Sequence, residues 1–500
     1  MEITFWVLGL LAQLFVFCLG LGLLAVIAMF IVDVTQKSHA IRRNYPVVGR
    51  FRYLFEHLGE FFRQYFFAMD REEMPFNRAE RNWVYRAAKG EPTTVGFGST
   101  RDLRRAGAAL FVNCPYPTLE EDAMPTSTLT IGPDCEHPYT AQSVFNISAM
   151  SYGALSRRAV LALAQGAARA GCWINSGEGG LSPYHLEGGA DVVFQLGTAK
   201  FGARDAEGNL DEVALAELAS HPQVKMIELK LSQGAKPGKG GMLPAAKVTE
   251  EIARIRLIQP GTAAISPNRH PDVNSPQELL DLVARIRGAT GKPIGIKAVI
   301  GAYGWLDELF EEINRRGKAS APDFFTVDSA DGGTGAAPQT LIDYVGLPLK
   351  ESLPLVCDAL HRHDLRDRVA VVASGKLTNP GEAGWALCAG ADFVVSARGF
   401  MFALGCIQAL QCNKNTCPTG ITTHDPDLQK GLDIEDKAQR VRRYAETMRK
   451  ELGTLAHSCG VAEPRLLRRM HCRIVQDDGS SIALDELHPV RNMPAGQSVA

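Results

Sequence analysis

RVAVVASGKLTNPGEAGWALCAGADFVVSARGF, residues 368–400, decides the fold. A short apolar run (368–374) ends in a glycine-containing polar turn. A helix-like stretch follows at 381–389, and a second apolar run (392–398) ends in another such turn. Strands alternating with helices in this way make β-α-β units and hence a parallel sheet. The same texture extends upstream to about residue 140. FNISAMS (145–151), CWINSGE (172–178), DVVFQLG (191–197), VKMIELKLS (224–232), KPIGIKAV (292–299) and DFFTVDS (323–329) read as six further strands. Helix candidates lie between them at 156–170, 211–219, 276–287 and 304–316. Eight strands alternating with helices predict an α/β fold, the (β/α)8 TIM barrel. A doubly wound open sheet is the main rival.

A barrel carries its active site at the C-terminal ends of its strands. Those ends read SAMSYGALS, NSGEGG, GTAKFG, LSQGAKPGKGG, IKAV, SADGGTGAAP, ASGKL and SARGF. Glycine and small polar residues let backbone N–H groups approach a ligand, which suits a large anionic cofactor. Barrels commonly hold phosphate after strands seven and eight. Here those loops are Ser374-Gly375-Lys376 and Ala397-Arg398-Gly399, with Lys376 or Arg398 to supply charge. Lys297 ends the fifth strand, and a lysine in an apolar strand needs an anionic partner. A reduced flavin is one such partner; Asp328 or Asp331 is another.

Just past the eighth strand, CIQALQCNKNTCPTG (406–420) spaces Cys406, Cys412 and Cys417 as C-x5-C-x4-C. Three thiols followed by a proline suit an iron–sulfur cluster, of three irons by ligand count. Zinc would lack a fourth ligand nearby; Asn413 and Asn415 are poor ones, and His424 is the other choice. Buried, unliganded thiols are the third reading. Cys18, Cys172, Cys357 and Cys388 lie in apolar stretches and read as core fillers.

The chain has 500 residues, with Lys+Arg 53 against Asp+Glu 55. That balance gives no reason to expect a nucleic-acid partner. Eleven cysteines without a secreted disulfide spacing point to a reduced, cytosol-facing compartment. From Thr4 to Val32 no residue is charged. As a helix this run spans roughly 40 Å, enough to cross a hydrocarbon core of about 30 Å. A buried core helix and a cleaved signal peptide are the alternatives. Glu2 is the only early charge, and Lys37, Arg42 and Arg43 follow the run, which is not signal-peptide patterning. The positive-inside rule then makes this a single-pass membrane protein with its catalytic domain cytoplasmic. The expected organisation is a transmembrane anchor (1–36), a juxtamembrane helical collar (37–90), the barrel with its cysteine loop (91–430), and a C-terminal helical extension and tail (431–500). The collar is read as packing for the main domain rather than as a lipid site.

MSYGALS (150–156), NSGEGG (175–180), LSQGAKPGKGGMLP (231–244), DGGTGAAP (331–338) and CIQALQCNKNTCPTG, in that order, resemble the synthase domain of glutamate synthase. The resemblance is to the stand-alone, membrane-anchored FMN-binding glutamate synthase family proteins, and it covers roughly residues 90–460. It implies a (β/α)8 barrel binding FMN and a three-iron, four-sulfur (3Fe-4S) cluster. It also implies reduction of 2-iminoglutarate, formed from 2-oxoglutarate and ammonia, to L-glutamate. On this resemblance Cys406, Cys412 and Cys417 hold the cluster. Met150, Ser151 and Ser176 lie along the flavin, with Gln195 and Lys297 near its polar edge. Gly332, Gly333 and Thr334 line the site, and the turns at 374–376 and 397–399 hold the phosphate. Gln233 and Lys236 contact the 2-oxo acid, Lys200 or Lys239 adds charge, and Glu178 relays a proton or positions ammonia or imine.

The chain begins MEITFW where complete glutamate synthases carry a glutaminase, so ammonia is expected from solution or a separate amidotransferase subunit. No G-x-G-x-x-G opens a helix after a strand in this sequence. The electron donor is therefore expected to be ferredoxin, a separate reductase or a membrane carrier. Two other functions stay open: an oxidoreductase of another 2-oxo, imino or N-substituted amino acid such as N-methylglutamate, and a non-catalytic electron-transfer subunit.

Overall fold

Residues 2–62, 66, 68–302 and 304–489 are described by a computed structural model, whose chain forms two units, Met1–Ala79 and Glu80–Ala500. Positions 63–65 and 67 of the expected collar and 490–500 of the expected tail lie outside the described residues.

In the second unit all eight apolar runs are strands: β1 (Phe145–Ile147), β2 (Trp173–Asn175), β3 (Asp191–Leu196), β4 (Val224–Lys230), β5 (Ile294–Val299), β6 (Phe324–Asp328), β7 (Ala370–Ser374) and β8 (Phe393–Ser396). They pair in parallel and close into a barrel, β8 against β1. The open-sheet rival is excluded by that closure. The strands are apolar on both alternating faces because helices cover one side and the barrel core fills the other. Helices Arg157–Ala170, Glu212–Ser220, Pro276–Thr290, Gly304–Arg316 and Pro380–Ala389 fall where the pattern places them. Four of them begin at Ser156, Asp211, Ser275 and Asn379, whose side chains accept hydrogen bonds from first-turn amides. Such caps satisfy amides that a helix start leaves without partners.

The barrel's N-terminal end is closed. A hairpin, Leu129–Ile131 with Tyr139–Ala141, inserts Ile131, Tyr139 and Ala141 among Trp173, Phe324 and Phe393. Beside it the buried carboxylate of Asp323 accepts from Arg287 (3.0 Å), Arg368 (2.8 Å) and the Ile294 amide (2.8 Å). Ligands therefore enter from the C-terminal end.

The helix Ile434–Ser458 lies along Arg157–Ala170 and buries Ala438, Val441, Tyr444, Ala445, Met448 and Leu452, the one-sided spacing of an amphipathic helix. Beyond it Cys472–Val475 and Ser481–Ala483 make a three-stranded antiparallel sheet with Ala109–Phe111. The C-terminal segment thus contains strands as well as helix.

The first unit contains the helix Glu2–Thr35, with no residue of its apolar window buried, and an amphipathic helix Gly49–Phe62. Asp33 joins them: its Oδ2 accepts from Arg50 Nε (2.8 Å) and from the Val47 amide (3.0 Å).

Candidate functional site

At the barrel mouth the loops after β2 and β4 meet. Lys230, the last residue of β4, places its Nζ 2.8 Å from Glu178 Oε1 and also donates to Gln233 Oε1. The Lys230 carbonyl is bonded to the buried His270 ring (3.0 Å). Burial works to raise the Glu178 carboxyl, but Lys230, Lys236 and Arg256 outweigh it and hold it below the usual carboxylate range. Lys236 is buried, and desolvation brings its ammonium down to about 8 despite the attraction of Glu178. Arg256 is buried as well; its Nη2 donates to the Tyr152 carbonyl (3.2 Å), and burial lowers it to about 10. Three cationic side chains therefore surround one carboxylate. Gly234 lets this loop sit against the loop after β6: a Cβ there would lie 2.1 Å from the Ser329 carbonyl oxygen.

Deeper in the mouth, Glu228 of β4 accepts from Asn175 Nδ2 (2.8 Å), Gln195 Nε2 (2.6 Å) and Thr326 Oγ1 (2.6 Å). Ser176 Oγ accepts from the Gln195 amide (3.0 Å), which ties β2 to β3. Lys297 sits in register with Lys230 and Thr326, and its Nζ is 3.4 Å from Asp328 Oδ2. Burial opposes its charge, but Asp328 and Glu228 more than restore it, so Lys297 stays protonated. A small cavity of about 10 Å3 below is lined on its polar side by Ser148, Asn175, Glu228, Lys297 and Thr326.

On the far side Ser374 donates to Asp328 Oδ1 (2.6 Å). Gly375 has φ +147°, a conformation glycine alone adopts freely, and a Cβ there would strike Ser329. Lys376 Nζ lies 2.9 Å from Asp331 Oδ2, and Arg398 Nη2 donates to the Asp331 carbonyl (3.3 Å). Burial raises the Asp331 carboxyl, yet Ser329, Lys376 and Arg398 together hold it low. Two cations from the turns after β7 and β8 thus converge on one acidic residue. Gly399 donates its amide to Ser396 Oγ (3.3 Å), and Ala397 precedes the helix Arg398–Leu404. Met150 and Ser151 follow β1, and Gly332, Gly333 and Thr334 follow β6, on the same end of the barrel.

Cys406, Cys412 and Cys417 are free thiols on the loop after Arg398–Leu404. Burial pushes Cys406 up to about 12, with Cys412 and Cys417 close enough to add to the rise. Cys417 is lowered: burial is outweighed by hydrogen bonds from Thr419 and Thr422. A Cβ on Gly335 would lie 3.6 Å from Cys412, so this loop touches the loop after β6. Lys247, buried, donates to the carbonyls of Cys412 (2.9 Å) and Thr422 (2.7 Å). Among the described residues no three His, Cys, Asp or Glu side chains are drawn together for a single metal ion. His424 bonds the Gly153 carbonyl (2.8 Å) rather than turning to the thiols. Lys200 pairs with Asp272 (2.9 Å), while Lys239 is exposed but near enough to Lys236 to oppose its charge.

Lys230, Arg256, Glu228, Lys247 and His270 are site residues that sequence reasoning missed. Lys230 and Glu228 had a signal: like Lys297, each is a charged residue in an apolar strand. The other three carried none, because only the fold buries them.

A family model described as "Conserved region in glutamate synthase" matches residues 117–462. The chain is 40% identical to the glutamate synthase large subunit-like protein YerD of Bacillus subtilis, over 92% of this chain and 94% of that protein. It is 35% identical to the archaeal-type glutamate synthase (NADPH) of Thermotoga neapolitana over 312 residues, 61% of this chain and 58% of that protein. Against the archaeal glutamate synthase (NADPH) of Methanocaldococcus jannaschii it is 35% identical over 64% of this chain and 60% of that one. The chain thus spans well under two thirds of those last two proteins. Among solved structures, mandelate oxidase with (S)-4-hydroxymandelic acid is similar at TM-score 0.46 and 16% identity, over 79% of this chain and 97% of that one. With the family match covering most of its length and a relative alike from end to end, this chain belongs to the glutamate synthase family.

Proposed function

We propose that this protein is a membrane-anchored oxidoreductase that reduces 2-iminoglutarate, formed from 2-oxoglutarate and ammonia, to L-glutamate. The observation that carries the reading is the cluster of Lys230, Lys236 and Arg256 around the single carboxylate of Glu178. The surplus positive charge suits a dicarboxylate. A subunit that only passed electrons would have no use for it.

FMN would supply hydride and a 3Fe-4S cluster single electrons. The donor set fits FMN. Lys376 and Arg398 bring two positive charges together beside Gly375, where a phosphate would replace Asp331 as their anionic partner. Lys297 holds a buried positive charge where the flavin's N1/O2 edge would lie. Gln195 has committed its amide nitrogen to Glu228, which leaves its oxygen to accept from a ring N–H. The three thiols suit a cluster, whose several irons spread their ligands farther apart than one ion does. Met150, Ser151, Ser176, Gly332, Gly333 and Thr334 complete the lining.

Within that frame Lys230 and Arg256, with Lys236 in its charged form, bind the substrate's carboxylates. Glu178, held ionised, attracts ammonium or an iminium nitrogen, and so positions nitrogen rather than giving up a proton. Lys236 exchanges the protons of imine formation, because a group near 8 gives and takes protons readily at physiological pH. Gln233 is oriented by its bond to Lys230. Glu2–Thr35 is long and apolar enough to cross a bilayer. Electrons would arrive from ferredoxin, a separate reductase or a membrane carrier.

The test is the full chain in detergent, reduced anaerobically and mixed with substrates while the flavin bands are followed. Reoxidation with 2-oxoglutarate plus ammonia, and with neither alone, is the expected result. No reoxidation by this pair in a protein that holds flavin would sink the reading.

Affinity for 2-oxoglutarate should also depend on pH. The Lys236 pKa is lowered from the ordinary lysine value to about 8, so its charge is present below pH 8 and lost above it. The dissociation constant should rise as pH climbs from about 7.5 to 9, up to roughly tenfold per unit if one proton is taken up on binding. Calorimetric titration across this range checks it. Lys236→Arg, charged throughout, should flatten the profile.

A further inference from the structure

We propose that the helix Gly49–Phe62 is a second membrane-contacting element, lying in the bilayer surface with its phenylalanine face in the lipid. The inference rests on the membrane-anchor reading of Glu2–Thr35 and goes beyond it, since an anchor alone needs no further contact.

Phe51, Leu54, Phe55, Leu58 and Phe62 recur at three- and four-residue steps and make one apolar stripe; Arg52 and Glu56 lie on the other side. The stripe is uncovered: Phe51 is 55%, Leu54 48%, Phe55 65% and Phe62 43% exposed. On the opposite side Tyr53 is held by the preceding segment, while Arg52 and Glu56 are exposed. Tyr53 packs edge-on against His39 (5.1 Å between ring centroids), and the Arg42 guanidinium lies over its ring at 4.6 Å. The preceding turn therefore holds the helix by its polar side and turns the phenylalanines outward.

Position says what covers them. Asp33 stands in the last turn of the apolar helix, and its carboxylate binds Arg50 and the Val47 amide. The second helix thus starts at the depth where the first leaves the membrane. Charge agrees: Lys37, Arg42, Arg43, Arg50 and Arg52 crowd this junction, where anionic headgroups lie. Phenylalanine and leucine on one face, arginine on the other and low overall hydrophobicity are the pattern of helices that lie in an interface rather than span it.

The test is photo-crosslinking of the full chain in vesicles of phosphatidylcholine and phosphatidylglycerol, with a benzophenone amino acid placed singly at position 55, 56 or 14. Adducts are read by mass spectrometry of the digest. Lipid adducts at 55 in yield comparable to 14, and severalfold fewer at 56, are expected. Lipid adducts at 14 with only peptide crosslinks at 55 would overturn the proposal and show the face packed on protein. Lipid at 14 with neither lipid nor peptide adduct at 55 would overturn it by showing the face in water. No lipid adduct at 14 would overturn the anchor reading itself, and the proposal with it.

Discussion

Replacing Lys230 with methionine is expected to lower kcat/KM for 2-oxoglutarate roughly a hundredfold, the equivalent of about 3 kcal/mol. Methionine keeps the length and apolar stem but removes the ammonium 2.8 Å from Glu178. Truncating one partner of a buried, hydrogen-bonded charge pair costs more than the pair contributes, because the other charge is left with less compensation. Here Lys236 and Arg256 still face Glu178, so the loss should be large without being complete. Gln233 also loses the donor that orients its amide. The effect should fall mainly on KM if Lys230 binds a carboxylate equally in ground and transition states, and on kcat if it acts chiefly in the transition state. Glu178→Gln in the same background separates the two groups: a double loss well short of the product of the single losses marks direct coupling. Independent, multiplicative losses would show that the pair does not act as a unit. A Lys230→Met enzyme with wild-type kinetics would remove Lys230 from the site.

Cys417→Ser should abolish the proposed iron–sulfur centre while leaving flavin bound. Serine is nearly isosteric, but its hydroxyl is harder and far less readily deprotonated than a thiol, and so is a much weaker ligand for cluster iron. The loop around Cys417 is held independently of any metal: Thr423 donates to the Asn415 carbonyl (2.6 Å), and Asn415 accepts from the His424 amide (2.8 Å). The backbone should therefore keep its course. Anaerobically purified variant is expected to show flavin bands, background iron and no turnover with a one-electron donor. Wild-type protein carrying flavin but no iron under the same preparation would refute the cluster. Iron unchanged in the variant would move the ligand elsewhere.

The architecture was legible because a parallel barrel has an unusually plain signature. Its strands are apolar on both faces away from the mouth, so VVF (192–194) and VAVVA (369–373) stand out as runs with no polar alternation. The three-residue strands of the closing hairpin, Leu129–Ile131 and Tyr139–Ala141, are too short for any periodicity, and pairing alone defines them. In the site, residues clustered in loops of unusual composition were accessible to reading. Arg256 and Lys247 were not. Each sits in a charged, ordinary-looking stretch, TEEIARIR and PAAKV, where a cation reads as a solvated surface group. Their burial comes from loops brought over them from distant parts of the chain, Tyr152 above Arg256 and Cys412 with Thr422 above Lys247.

The pairing of Ala109–Phe111 with Cys472–Val475 also bears on how the chain is made. Trp83 reaches Glu451 across 368 residues, and Thr93 bonds the same carboxylate. At synthesis rates of about 5–20 residues per second, the ribosome needs roughly 20–70 s to deliver those partners. Through that interval the N-terminal helix has emerged while the segment just behind it waits, unpaired, for the last part of the polypeptide. Contacts so far apart in sequence slow folding and prolong exposure of apolar surface. The vulnerable species during biosynthesis is therefore a nascent chain with its first helix complete and its barrel still open, the form on which chaperones would act.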